Sequence, residues 1–74
     1  MTDGVHKRSI LIAGHATSIS LEDVFWDELK RIAERQGQPV NDLITEIDEA
    51  RTTNLSSAVR VFVLNDIKTN PPSN

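Results

Sequence analysis

Residues 17–21, Thr-Ser-Ile-Ser-Leu, alternate polar and apolar side chains and run without a spare residue into residues 22–36, whose apolar positions recur at helical spacing up to Gly37. A period of two that changes to a period near 3.6 within one short segment means a strand feeding directly into an amphipathic helix. Phe25, Leu29, Ile32 and Ala33 form the helix stripe, with Trp26 at its edge. Glu22 and Asp23 fall in the first turn, where the helix dipole favours acids, and Ser20 is the expected N-cap. Gly37 supplies a left-handed stop. Gln38-Pro39 then opens a second helix over 40–51, with proline at its first position and Val40, Leu43, Ile44, Ile47 and Ala50 as its buried stripe.

The flanking segments add one element on each side. Residues 9–13 read as a first strand, Gly14-His15 as a turn and residues 16–21 as the second strand, because β-branched residues cluster on both sides of the glycine. Whether the two strands pair as a hairpin stays open, since the turn lacks an Asn-Gly or Asp-Gly signal. Asn54 or Ser56 can cap a third helix in which Leu55, Val59, Phe62, Val63 and Ile67 recur at helical spacing. Residues 59–64 are β-branched enough to compete as a strand, and helix is the expected outcome. Residues 1–6 and 70–74 read as disordered tails, the latter around Pro71-Pro72, leaving 7–69 as the folded domain.

Seventy-four residues without cysteine leave few ways to stabilise such a chain. Disulfides are excluded, and two isolated histidines do not make a structural metal site. One strand and two or three helices offer a small core, so a symmetric homodimer is expected, its core built from Ile19, Leu21, Phe25, Trp26, Leu29, Ile32, Leu43, Ile44 and Ile47. No apolar run reaches the roughly 20 residues of a spanning helix, and the N-terminus lacks a signal-peptide core, so the expectation is a soluble, cytoplasmic protein with no membrane partner. No nucleophile-base pair, phosphate-cradling glycine loop or metal-spaced cluster occurs, so no enzyme, cofactor or metal is expected. The carboxylates of the first two helices, such as Asp27 facing Arg31, read as solvated faces with partners one turn away. Net charge is −3 and is unevenly spread: residues 21–51 carry −5, while residues 1–20 and 52–74 each carry +1.

The order strand, helix, glycine, helix, together with Ala13-Gly14-His15 before the strand and Asn54-Leu55-Ser56-Ser57 opening the last helix, resembles the ribbon-helix-helix family of DNA-binding proteins. The likeness covers about residues 7–68. It implies an α+β, mainly helical fold: an intertwined dimer whose two strands, one per subunit, form an antiparallel ribbon in the DNA major groove, here with an extra N-terminal strand and a C-terminal third helix. It also implies a small transcriptional regulator bound to double-stranded DNA. Strand alternation sends Thr17, Ile19 and Leu21 toward the helices and Ala16, Ser18 and Ser20 outward as the base-reading set. Lys7, Arg8 and His15 are the expected phosphate contacts, joined by the helix N-terminus at Val40 and Asn41. Ala16 stands where an arginine would be the natural reader, and Pro39 where the family usually caps with serine or threonine. With the acidic balance, these departures motivate the alternative reading, a dimeric protein-interaction module, including an antitoxin type, with little DNA affinity. The operator, any effector and pairing of dimers into tetramers on DNA are not legible in the sequence.

Overall fold

The computed structural model describes residues 4–71. Strands β1 (Val5–Ile12) and β2 (His15–Glu22) form an antiparallel hairpin, followed by helices α1 (Asp23–Gln36), α2 (Val40–Ala50) and α3 (Leu55–Thr69). The expected tails lie partly outside the described residues, at 1–3 and 72–74; Val5 and His6, assigned to the first tail, belong to β1.

The hairpin turns on Ala13 and Gly14, one position before the expected Gly14-His15. Both residues have positive φ, 51° and 83°. That pair of conformations is what a two-residue loop needs to match the twist of the strands it joins. Glycine adopts it freely; Ala13 accepts some strain in place of the usual asparagine. His15 is thereby released to pair with Ile12, and the register continues as Ile10 with Thr17, Arg8 with Ile19 and Lys7 with Ser20. Cross-strand partners share a face. Ile10, Ile19 and Leu21 therefore lie on one side, all buried against the helices, while Thr17 on the same side stays exposed near the turn.

Ser20 does not cap α1, because it is still part of β2. Glu22 occupies the N-cap position without a side-chain capping bond, and the dipole is answered by Asp23 in the first turn. Gly37, at φ 72°, ends the helix, and the Gly37 and Gln38 N–H groups bond the Glu34 and Ala33 carbonyls, the paired bonds of a left-handed stop. Pro39 is the N-cap of α2 rather than its first residue, and Ala50, at the far end of the expected stripe, is exposed. Asn54 caps α3, its Oδ1 accepting from the Ser57 N–H at 2.9 Å. Helix wins over strand in this last element: Val59 and Val63, one turn apart, are buried, whereas Val61, which a strand would place beside them, is 55% exposed.

A single chain buries a continuous core drawn from every element: Ile10, Ile19, Leu21, Leu29, Ile32, Leu43, Ile44, Ile47, Val59 and Val63 are all covered. Most of the residues expected to form a dimer core are thus already the core of one chain, while Phe25 and Trp26 are only half-buried against it. The premise that one chain has too little to bury is corrected. Two additions account for it: β1 pairs with β2 and packs on α2, and α3 folds back along β2 and α1. The latter contact is fixed by Ser56 Oγ donating to the Ser20 carbonyl at 2.8 Å, by Arg60 on Glu22 at 2.9 Å and by Arg35 on Asp66 at 2.6 Å.

Candidate nucleic-acid interface

The face of the hairpin turned away from the helices is set by the register. Its rows are Val5 with Glu22, Lys7 with Ser20, Ser9 with Ser18, and Leu11 with Ala16. Lys7, Ser9, Ser18, Ser20 and Ala16 are all exposed. Leu11, half exposed, and Val5, 52% exposed, flank the Lys7 and Ser9 rows at the two ends of this face. None of Lys7, Ser9, Ser18 and Ser20 commits its side chain to a hydrogen bond or ion pair within the described residues. Ala16, Ser18 and Ser20 therefore stand outward as expected, and Lys7 stands with them.

Arg8 does not. As the partner of Ile19 it lies on the helix side, where its guanidinium pairs with the Asp23 carboxylate and rests 4.9 Å from the centre of the Trp26 ring. The expected phosphate contact is a bolt between β1 and α1. His6 joins it, its Nδ1 2.7 Å from the same Asp23 oxygen; a carboxylate can only accept, so the ring nitrogen carries the proton. The His6 hydrogen bond, with Arg8 beside it, holds the Asp23 carboxyl below its ordinary range, and Arg60 does the same for Glu22.

His15 is exposed beside the turn, at the end of the ribbon. At α2, Asn41 spends its side-chain oxygen on the Leu11 N–H, 3.3 Å away, and Val40 is half-buried. The Asp42 and Leu43 N–H groups turn back to the Pro39 carbonyl, leaving the N–H groups of Val40 and Asn41 as the free donors of the first turn. Asp42, exposed in that same turn, sets a negative charge where a phosphate would dock. The pairing expected between Asp27 and Arg31 is replaced by Asp27 with Lys30 at 3.8 Å and Glu28 with Arg31. Among the described residues, no group of three His, Cys, Asp or Glu side chains could hold a metal ion, and no helix is long and apolar enough to cross a membrane.

Two contacts reveal how far each sheet edge is open. Along an antiparallel pair, residues alternate between bonding across the pair and pointing their N–H and C=O outward. Leu11 bonding Asn41 and Ser20 bonding Ser56 mark these as outward-pointing positions, and with the register they place Lys7 and Ser9 on the open edge of β1, and Ala16 and Ser18 on that of β2. The helices close each edge only at one end.

A ribbon-helix-helix domain model matches residues 5–67. The chain belongs to the ribbon-helix-helix family. Among solved structures, an uncharacterized protein from Bordetella pertussis Tohama I is similar at 31% identity with a TM-score of 0.75, over 99% of this chain. This ribbon-helix-helix chain spans 66% of that protein's length. Nothing matches among curated proteins. The ribbon-helix-helix family is typically one of regulatory domains that dimerise and bind DNA.

Sequence reasoning did not place Ser9 and Lys7 on the outward face of the hairpin. The signal was present: Ile10 and Ile12 alternate with Ser9 and Leu11, so a β1 that continues back to Val5 puts Lys7 and Ser9 opposite the apolar side. The register with β2 was needed to show that this side coincides with Ser18 and Ser20.

Proposed function

We propose that this chain is a DNA-binding regulator of transcription that acts as a cytoplasmic homodimer and presents the outward face of its β-ribbon to the major groove. The observation that carries this reading is the face itself: Lys7, Ser9, Ser18 and Ser20 stand together on a two-stranded ribbon, exposed and without side-chain partners among the described residues. A two-stranded ribbon fits a groove about 12 Å wide, where each base pair shows a distinct donor and acceptor pattern. The α2 N-terminus adds the two N–H groups of Val40 and Asn41 for a phosphate.

The test is selection from random double-stranded DNA, followed by fluorescence anisotropy on the enriched site across a salt series and sedimentation of the complex. The expected result is an enriched sequence, two chains per site and an affinity that falls with salt by about 0.9 log units per log unit for each phosphate neutralised. Equal weak binding to every sequence refutes it.

The second reading, a protein-interaction module of the antitoxin kind, is favoured by the charge pattern. Of eight basic side chains, Arg8, Lys30, Arg31, Arg35, Arg51 and Arg60 are engaged by acids of the same chain. On α2, Asp42, Glu46 and Glu49 form an exposed acidic row. A chain that neutralises its own bases has little left for phosphates, and absence of any enriched sequence together with capture of a specific protein partner supports this reading instead.

A further inference from the structure

We infer that Lys7 is a base-reading residue with preference for guanine, rather than a phosphate contact, and that β1 shares the reading with β2 through Lys7 and Ser9. The inference rests on the proposal that the ribbon face meets DNA.

Side chains stand roughly perpendicular to a sheet, so a residue on the groove-facing side of a ribbon aims at the groove floor, while phosphates flank the ribbon laterally. Lys7 is on that side, because its cross-strand partner is Ser20, and its neighbour Arg8 is on the other. Its surroundings are low: Ser20 lies opposite, and Ser9 with Ser18 form the next row. Across such a pair the Cβ atoms are about 4.5–5.5 Å apart, so the lysine stem rises over three short hydroxyl side chains that cannot match its reach. Its ammonium also has no partner among the described residues. The bulkier members of the face are Val5 and Leu11, in rows on either side, and Glu22 beside Val5 is held away by Arg60.

The chemistry then selects the base. An ammonium is a donor only, and guanine alone presents two adjacent acceptors in the major groove, O6 and N7, whereas adenine sets an amino donor beside its N7, thymine offers the single acceptor O4 beside a methyl, and cytosine offers an amino donor. The hydroxyls of Ser9, Ser18 and Ser20 both donate and accept and so discriminate weakly, which leaves Lys7 as the strongest chemical preference on the ribbon. This also explains how a ribbon lacking an arginine at Ala16 can still read sequence.

The experiment compares the intact protein with Lys7→Ala, Lys7→Gln and Lys7→Arg on the selected site and on the same site with each G·C pair replaced by A·T. Lys68→Ala serves as the control for loss of one positive charge elsewhere. The expected result is that one guanine position costs the intact protein about tenfold or more in affinity, that Lys7→Ala and Lys7→Gln abolish this gap, and that Lys7→Arg keeps it. The salt slope of Lys7→Ala should match that of Lys68→Ala. If Lys7→Ala weakens both sites equally and lowers the slope by about 0.9, Lys7 is a phosphate contact and the inference fails while DNA reading stands. If the intact protein enriches no sequence, the DNA reading itself fails and takes the inference with it. Lys7 is exposed, and unchanged circular dichroism of the variants confirms that the ribbon is intact in each comparison.

Discussion

Leu11 and Leu21 are the same residue type on the same hairpin, but the register places them on opposite faces, and removing each side chain tests that register directly. Leu21 is fully buried where β2 meets α1 and α3, while Leu11 is 50% exposed on the outer face. Truncating a buried leucine to alanine loses its transfer free energy and leaves a cavity, together about 2–5 kcal/mol. A chain of 74 residues has roughly 4–11 kcal/mol of stability in all, so Leu21→Ala removes a large part of it. For a domain of this size each kcal/mol lowers Tm by about 4–8 °C, which places the expected drop at about 8–40 °C. Leu11→Ala leaves no cavity and should stay within about 0.5 kcal/mol of the parent. Thermal melts and urea titrations of both variants, followed by far-UV circular dichroism, supply the two values, with the urea slope unchanged if only stability is altered. A one-residue slip of β1 against β2 would move Leu11 to the helix side. Equal costs at the two sites, or a cost below about 1 kcal/mol at Leu21, would refute the register and with it the composition of the proposed DNA face.

Arg8→Ala should lower Tm and shift the emission of Trp26, the sole tryptophan, while leaving the salt dependence of DNA binding unchanged, because its guanidinium faces Asp23 and the indole instead of the groove. Asn54→Ala should cost about 0.5–2 kcal/mol in a urea titration, since it orphans the Ser57 N–H at the start of α3. Glu22 and Asp23 have folded-state pKa values below their unfolded ones, so their contribution to stability is complete above the ordinary carboxylate range and is lost as pH falls through the lowered values. Melts from about pH 6 down to about pH 2 should therefore show a decline that Glu22→Gln and Asp23→Asn each make shallower.

What the sequence determined by itself is what local chemistry enforces. The change of period at residue 22, the glycine at 37 and the Asn54 cap each act within a few residues, so the order of strand and helices could be read without knowing what packs on what. The outward station of Ser18 and Ser20 follows from the same alternation. Tertiary structure decided everything that depends on pairing across the chain. The turn at Ala13 and Gly14 sets which residue of β1 meets which of β2, and so sends Arg8 to Asp23 and Lys7 to the ribbon face, although the two basic residues are neighbours in sequence. The return of α3 onto β2 and α1 closes a core within one chain that local patterns suggested would need a second. Both outcomes rest on contacts between residues far apart in the chain, such as Arg60 with Glu22, and no local rule encodes which of the competing partners a long side chain will meet.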